Sequence, residues 1–394
     1  MLNEAMIALG TERSVIRELF EYGNQRAAVV GRENVFDFSL GNPSVPAPES
    51  VNEEIVRLCR ESDSVRLHGY TSAPGAPAVR EAIAAHIRAS QGLNVSGDNL
   101  LLTCGAAASL CCALNGLCNG GDEVVVLAPY FPEYRVFIGK AGAVMVTVPA
   151  DVEAFQIPFD ALEAALSPRT KAVLINSPNN PSGAVYSEDT LRTLAELLRR
   201  KSAEYGAPIY LLSDEPYREI VYGDAVVPCV PQFYEDTVVC YSYSKSLSLP
   251  GERIGYLLVP DQCAQSKLVY AACAGAARAL GYVCAPSLMQ QVLLRCCGQT
   301  ADLSVYAENR RLLLEGLRSV GIHCVPPQGA FYLFPRTPEP DDLAFAEKAK
   351  ALDLLVVPGT GFGCPGHVRI SYCVSTEMVR RALPVFARLM EQYR

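Results

Sequence analysis

The sequence lacks a long hydrophobic run. No apolar stretch reaches the roughly 18–20 residues that a membrane-spanning helix needs. The N-terminal stretch MLNEAMIALGTERSVIRELF has acidic residues early and no secretory-signal pattern. Half of the 394 residues are hydrophobic and 19% are charged, a composition typical of a folded globular protein. The sequence therefore predicts a protein that neither spans a membrane nor is secreted.

Closely spaced metal ligands are also missing. The chain has four histidines, with no HxxxH and no CxxC, so a metal site is not expected. Its fifteen cysteines are odd in number and stand singly or as doublets, several of them within apolar segments. This usage indicates buried free thiols in a cytoplasmic protein rather than disulfides.

No basic stripe stands out along the chain, and the formal net charge is −8. Nucleic-acid binding needs a positively charged surface, which this sequence does not offer. Nucleic acid is therefore not expected as a partner.

What the sequence does contain, from about Leu100 onward, is a series of short apolar segments separated by helical or loop segments. The predicted strands are Asn99–Thr103, Glu123–Leu127, Val144–Val148, Ala172–Asn176, Ile209–Ser213, Thr237–Tyr241 and Ile254–Val259. They are continuously apolar rather than alternating, which is typical of strands buried on both faces. The pattern predicts an α/β domain whose mostly parallel seven-stranded sheet lies between helices.

After about Ala285 the pattern changes to that of a smaller α+β domain. A helical stretch from Pro286 to about Val320 precedes predicted strands and a final helix from Thr376. The predicted strands are His323–Val325, Phe331–Phe334, Leu355–Val357 and His367–Ser371. We expect three parts: an N-terminal arm or lid over residues 1–45 with a helix near 12–28, a large domain over 46–285 and a small domain over 286–394.

Polar residues follow several predicted strands where each strand ends, which is where open α/β sheets bind ligands. Gly105 opens a small-residue helix whose free N–H groups suit phosphate. Asn180 follows a second strand and Asp214 ends a third. Lys245 follows a fourth, where a partly buried amine becomes nucleophilic. Tight turns and helix capping also explain such residues, but together they suit a phosphorylated aldehyde with a basic ring nitrogen.

The chain resembles the fold-type I, class I and II aminotransferases of the aspartate aminotransferase superfamily, which use pyridoxal 5′-phosphate (PLP). The resemblance runs from GNP at Gly41 to VRISY around Arg369. It is carried by the combination of NNPSG, SDEPY, SYSKSLSLPGERIGY, PPQGAFY and VRISY. Any one of these motifs alone is weak, whereas the set is specific.

The resemblance implies roles around the cofactor ring. Lys245 would bind the cofactor covalently and then move a proton to and from the substrate Cα. Asp214 would pair with the ring nitrogen, which lets the ring withdraw electrons. Tyr217 and Asn180 would contact a ring oxygen, and Phe131 would stack on the ring face.

The resemblance also implies where the phosphate and the substrate bind. The phosphate-binding set would be Gly105, Ala106, Ala107, Ser242, Ser244 and Arg253, joined by Tyr70 of a neighbouring subunit. Shared active sites imply a homodimer. Arg369 would grip the substrate α-carboxylate as a two-pronged fork, with Gly41 and Asn180 beside it.

The chain departs from some relatives at Ala107, which lacks both a hydroxyl for the phosphate and a lysine that one aspartate-specific branch uses for a second carboxylate. Arg66 and His68 precede Tyr70 and are candidates for the side-chain pocket, although solvated loop residues are the simpler interpretation. Ser14, Ile16 and Arg17 lie on the predicted lid helix.

The expected activity is ping-pong transamination of an amino acid and a 2-oxo acid, with aspartate or glutamate and 2-oxoglutarate as the first candidates. Aromatic or other neutral amino acids are the alternative. A second alternative is another reaction on the same scaffold, such as C–S β-elimination, racemisation or decarboxylation, because function lies in the site rather than the fold. A cofactor-binding regulator has little room for a DNA-binding segment before GNP, and a nicotinamide enzyme would leave Lys245 and Asp214 without a role.

Overall fold

The computed structural model describes residues 2–11 and 15–394. Its helices are α1 (Glu4–Thr11), α2 (Val15–Val30), α3 (Glu49–Glu61), α4 (Ser64–His68), α5 (Pro77–Gln91), α6 (Ala106–Leu117), α7 (Tyr134–Lys140), α8 (Phe159–Ala165), α9 (Glu188–Tyr205), α10 (Tyr243–Ser246), α11 (Ser266–Ala279), α12 (Ser287–Cys296), α13 (Ser304–Ser319), α14 (Asp342–Lys350) and α15 (Thr376–Glu391). Its strands are β1 (Phe36–Asp37), β2 (Leu100–Thr103), β3 (Glu123–Leu127), β4 (Val144–Val148), β5 (Thr170–Asn176), β6 (Tyr210–Asp214), β7 (Thr237–Ser242), β8 (Gly255–Leu258), β9 (Tyr332–Leu333), β10 (Leu354–Leu355), β11 (Val357–Pro358) and β12 (Val368–Ser371).

The main sheet has the strand order β2-β8-β7-β6-β5-β3-β4 in the described part of the chain. β8 runs antiparallel to both of its neighbours, and the other neighbouring pairs are parallel. Each of the seven strands predicted in this region is found, with its ends moved by at most two residues. The predicted fold class is therefore confirmed.

Helices cover both faces of this sheet because successive side chains of each strand point to opposite sides. Val124 and Val126 of β3 belong to a core cluster with residues of α6 and α11. Val125 and Leu127 of the same strand belong to a second cluster with residues of α8 and α9. Strands covered on both faces consist mostly of apolar residues, which explains the continuous apolar sequence of β3 after Glu123.

The C-terminal part forms a separate core together with the N-terminal segment. β11, β12 and β9 make a three-stranded antiparallel sheet, and β1 pairs in parallel with β10. One cluster of buried side chains unites Phe38 with residues of α13 and α15. The segment before residue 45 thus packs with the C-terminal part, while the exact domain boundaries after residues 45 and 285 stay a prediction.

Three local predictions need correction. His323–Val325 is not a strand, because Pro326 and Pro327 follow it and proline has no N–H for a ladder. The stretch predicted as Leu355–Val357 is two short strands with different partners. The helical stretch from Pro286 breaks between α12 and α13 around Gly298.

The predicted helix near residues 12–28 is observed as α2, with the shorter α1 before it. Ser14 lies outside the described residues. None of the helices in the described ranges is long and apolar enough to cross a lipid bilayer.

Candidate active site

A cavity of about 260 Å³ lies where the carboxyl ends of β5, β6 and β7 meet the start of α6 and the C-terminal part. Twelve of the fourteen predicted site residues line it: Gly41, Ala106, Ala107, Phe131, Asn180, Asp214, Tyr217, Ser242, Ser244, Lys245, Arg253 and Arg369. The other two are Gly105, which immediately precedes α6, and Tyr70, which is 91% exposed. The loops after separate strands therefore converge on one place.

Lys245 sits in α10, the single helical turn that follows β7. Its Nζ donates a hydrogen bond to the Gly41 carbonyl at 2.7 Å and lies 5.5 Å from the Phe331 ring centroid. Burial lowers the pKa of this amine to about 8, and the charges of Arg369 and Arg253 also act to lower it. At pH 7 roughly a tenth of the amine is thus neutral and nucleophilic, far more than for an ordinary lysine.

Asp214 ends β6 and is buried. The Tyr134 hydroxyl donates to its Oδ2 at 2.5 Å, and Asn176 Nδ2 donates to its main-chain carbonyl at 2.8 Å. Its Oδ1 has no hydrogen-bond partner among the described residues. Burial raises the pKa of this carboxyl to about 7, while the Tyr134 hydrogen bond acts in the opposite direction. A buried acid with a free oxygen is suited to a cationic N–H donor.

An anion cradle is built at the start of α6. Gly105 has a φ of +88°, and a Cβ there would lie 2.9 Å from an Arg253 nitrogen, so only glycine allows the guanidinium this close. Arg253 donates to the Cys104 carbonyl at 3.2 Å and has a left-handed φ of +52°. Such strain is typical of functional positions. The Ser242 and Ser244 hydroxyls, 2.7 Å apart, complete a set of donors suited to phosphate.

Arg369 of β12 is 2% exposed, and its guanidinium is held from several sides. It donates to Asn180 Oδ1 at 3.1 Å and to the Ser39 carbonyl, and it lies 4.7 Å from the Tyr332 ring centroid. Its Nε has no partner among the described residues, and burial lowers its pKa. A buried guanidinium with an unused N–H is suited to a carboxylate.

Tyr217 and Tyr332 face each other in the same cavity, with their hydroxyl oxygens 2.9 Å apart. A Cβ at Gly41 would collide with the Tyr332 hydroxyl. Gly41 is therefore required here for space, beside its contact with Lys245. Phe131 is half-buried, and its ring meets the Tyr134 ring edge-on at 5.7 Å.

Sequence reasoning missed Tyr134, which bonds Asp214, and six residues of the cavity lining: Leu40, Leu110, Asn176, Pro216, Pro250 and Tyr332. Asn176 was detectable, since it is a polar residue ending an apolar strand. Tyr332 lies in the PPQGAFY motif but was given no role. Ile16, predicted only for a lid, lines the cavity, whereas Arg66 and His68 are exposed and do not.

Comparison with known proteins agrees with this geometry. A family model described as aminotransferase class I and II matches residues 33–386. The aspartate/prephenate aminotransferase of Thermus thermophilus is 34% identical over 377 residues, covering 93% of this chain and 94% of the relative. The aspartate aminotransferase of Thermotoga maritima is 32% identical over 366 residues, covering 91% and 92%.

Solved structures give the same result. An aminotransferase from Eubacterium rectale is 56% identical with a TM-score of 0.98, covering 100% of this chain and 99% of that one. The Thermus thermophilus aspartate aminotransferase with maleate is 30% identical with a TM-score of 0.84, covering 99% of each chain. This chain belongs to the family of class I and II aminotransferases, and it is an enzyme of that PLP-dependent family.

Proposed function

We propose that this aminotransferase moves an α-amino group from an amino acid to a 2-oxo acid in two half-reactions, with the first 2-oxo acid leaving before the second binds. The observation that carries the proposal is a pair of unsatisfied buried groups lining one cavity. Asp214 Oδ1 lacks a donor and Arg369 Nε lacks an acceptor among the described residues. Each needs an opposite charge from a bound molecule, because a buried charge without a partner is costly.

The residues of the cavity fit PLP. The Asp214 oxygen suits the ring nitrogen, the Gly105 turn with Arg253 suits the phosphate, and the Lys245 amine suits the aldehyde. When bound, PLP supplies an aldehyde for amines and an electron-poor ring that stabilises negative charge at a substrate carbon. We assign Tyr217 and Asn180 to the ring oxygen and Phe131 to the ring face.

Lys245 acts as the base and acid of the reaction in this proposal. A neutral amine can accept the substrate Cα proton and return it to the same or a neighbouring carbon. The lowered pKa supports this role because the amine then loses its proton within the working range of pH. Its hydrogen bond to the Gly41 carbonyl provides a resting position between the two transfers.

Arg369 orients the substrate by binding its α-carboxylate. The Asn180 and Ser39 contacts fix the guanidinium plane, so the bound carboxylate has one preferred direction. Fixing the substrate also fixes which bond at its Cα faces Lys245. A Cα–H bond directed at Lys245 favours proton removal over decarboxylation. β-Elimination and racemisation also begin with removal of this proton, and they remain the alternative reactions.

The first substrate candidates are aspartate or glutamate with 2-oxoglutarate. They are supported by the names of the relatives and by the maleate, a dicarboxylate, in one solved structure. Aromatic or other neutral amino acids are the second candidate. They are supported by the apolar cavity residues Ile16 and Leu40, and by a described lining whose cations are confined to Lys245, Arg253 and Arg369.

We further propose a homodimer with shared active sites in the cytoplasm. Tyr70 is 91% exposed in the single chain, which suits a residue that contacts a second subunit. All fifteen cysteines are free, which suits a reducing compartment. The segment before residue 45 is proposed as the arm of the small domain, with Ile16 closing over the cavity.

The test is a stoichiometric half-reaction. PLP-loaded enzyme given one amino acid and no 2-oxo acid should release about one 2-oxo acid per site and then stop until a 2-oxo acid is added. Continued release of ammonia and 2-oxo acid would instead identify a lyase, and continued release of carbon dioxide a decarboxylase. A panel of acidic, aromatic and small neutral amino acids decides the substrate class.

Lys245→Ala tests the assignment of the amine. We expect loss of turnover and, after borohydride treatment of the PLP-loaded protein, loss of the label from the peptide that contains residue 245. Lys267→Ala is the matched control, since Lys267 is exposed and does not line the cavity. Labelling of the wild type at another lysine would refute the assignment.

A further inference from the structure

The Tyr332 hydroxyl has one hydrogen-bond partner among the described residues, the hydroxyl of Tyr217. Tyr332 is 2% exposed, and its ring meets the Tyr217 ring edge-on with centroids 5.7 Å apart. Both side chains line the active-site cavity. Tyr217 is therefore hydrogen-bonded to Tyr332 in any role that its hydroxyl has in the cavity.

Either hydroxyl is able to donate in this hydrogen bond, and the number of protons limits the arrangements. Each phenol has one proton, so one hydroxyl donates within the pair and the other keeps its proton for a different acceptor. Arg369 lies 4.7 Å from the Tyr332 ring centroid, and its positive charge favours release of the Tyr332 proton. Burial raises the pKa of both phenols, and the charge of Arg369 acts to lower both. The proposed function uses the Tyr217 proton for the ring oxygen, and the Tyr332 hydroxyl has no other acceptor than the Tyr217 oxygen among the described residues, so Tyr332 is the donor within the pair.

We propose that Tyr332 is a positioning residue whose hydroxyl donates to the Tyr217 oxygen and thereby directs the Tyr217 proton into the cavity. That proton is then available to the ring oxygen of PLP. The inference rests on the proposed function, because it assumes that PLP occupies this cavity.

The arrangement also links two parts of the site. Tyr332 touches the guanidinium that binds the substrate carboxylate and the phenol that contacts the cofactor. Gly41 leaves the space that this bridge needs, since a side chain there would collide with the Tyr332 hydroxyl. Tyr332 of the PPQGAFY motif and Gly41 of the GNP motif are thus adjacent at the Tyr332 hydroxyl.

The test is a double-mutant cycle on the PLP-loaded enzyme with Tyr332→Phe, Tyr217→Phe and the double variant. A proton donated by Tyr217 stabilises negative charge on the PLP ring oxygen. Without the proton donated by Tyr217, bound PLP stays protonated up to a higher pH. Both single variants should therefore raise the pH midpoint of the PLP absorption change, Tyr332→Phe by about 0.5 to 1 pH unit. The double variant should match Tyr217→Phe alone, because Tyr332 acts through Tyr217.

Binding of PLP provides a second readout. Tyr332→Phe should raise the Kd for PLP about 2- to 10-fold, which is the range expected for one hydrogen bond. Tyr372→Phe is the matched control: this buried phenol donates to the Ala330 carbonyl at 3.2 Å and does not line the cavity. It should leave both the midpoint and the Kd unchanged.

Two results would overturn the proposal: a wild-type midpoint in Tyr332→Phe, or shifts that simply add in the double variant. Should Tyr332→Phe fail to fold by circular dichroism, Gly41→Ala displaces the same hydroxyl, and an unchanged midpoint there counts against the proposal equally. Failure of the proposed function looks different, because the wild type itself would then bind no PLP.

Discussion

At the scale of single residues, the buried carboxyl of Asp214 lowers the stability of the folded protein. Burial raises the pKa of its carboxyl from 3.8 to about 7. The folded state therefore holds this proton more tightly than the unfolded chain, and its stability falls as the pH rises from about 4 to about 7. Above pH 7 the full penalty is present, on the order of 4 kcal/mol without a bound cation. The ring nitrogen of PLP, which the proposed function assigns to Oδ1, would offset this penalty.

The resulting prediction is that Asp214→Asn stabilises the cofactor-free protein while weakening PLP binding. At pH 8 the free energy of unfolding should rise by about 2–4 kcal/mol, and near pH 4 by less than about 1 kcal/mol, because the native aspartate is then protonated. The asparagine amide oxygen can still accept the Tyr134 hydrogen bond. Urea unfolding at the two pH values measures the difference.

Asp342→Asn serves as the control for this prediction. Asp342 is also buried, but its two carboxylate oxygens accept hydrogen bonds from the Thr360 amide and hydroxyl. Its replacement should destabilise the protein at pH 8. Loss of stability at pH 8 in Asp214→Asn as well would show that the buried carboxylate has a stabilising partner, which contradicts the prediction.

At the scale of elements, the site depends on how helices begin after strands. α6 and α10 both start within a few residues of a strand end, so their free N–H groups face the same edge of the sheet. The turn before α6 needs the positive φ of Gly105, and Arg253 fills the space that a side chain would take. The turn at Gly105 and the proposed phosphate site are therefore one structural feature.

Gly105→Ala should weaken PLP binding at least about 10-fold and lower the free energy of unfolding by about 1–2 kcal/mol. Gly121→Ala is matched in φ, since both glycines have a φ of +88°. A Cβ at Gly121 meets nothing within 4 Å. Gly121→Ala should thus show a similar stability loss from strain with unchanged PLP affinity. Calorimetric titration with PLP and urea unfolding separate the two effects, and equal affinities would contradict the cradle.

At the scale of the whole molecule, Arg369 shows that the site is assembled from the full length of the chain. It comes from the C-terminal part and contacts Ser39 near the N-terminus and Asn180 beyond β5. β1 and β10 pair beside it and tie the N-terminal segment to the same core. Movement of that core relative to the main sheet would move Arg369, the proposed substrate anchor, relative to Lys245.

The proposed dimer is tested by mixing two defective subunits. Lys245→Ala subunits lack the amine, and Tyr70→Ala subunits lack the residue assigned to the partner's phosphate site. A hybrid dimer then contains one intact site and one with both defects. An equal mixture that re-associates at random should recover about a quarter of the wild-type activity, since half of the dimers are hybrids. Activity no higher than the average of the two variants alone would place Tyr70 outside the partner's site.

The amino-acid sequence by itself determined the main sheet and most of the candidate site. Strands such as β3 are buried on both faces, so every position of β3 after Glu123 is apolar and the pattern is visible locally. Lys245, Asp214 and Asn180 were found because polar residues directly after such strands stand out, and because the spacing within each motif is short-range information. The same reasoning did not predict the helix break around Gly298. It also predicted a strand directly before Pro326, where the local pattern is weak and proline follows.

Only the tertiary structure decided which side chains act on those residues. Tyr134 reaches Asp214 across 80 positions of sequence, and Tyr332 reaches Tyr217 across 115. Such pairs depend on how separate elements pack, which no local period encodes. The lowered pKa of Lys245 and the raised pKa of Asp214 have the same origin. Burial is a property of the assembled core, and the energy of a charge depends on the surroundings that the whole fold supplies.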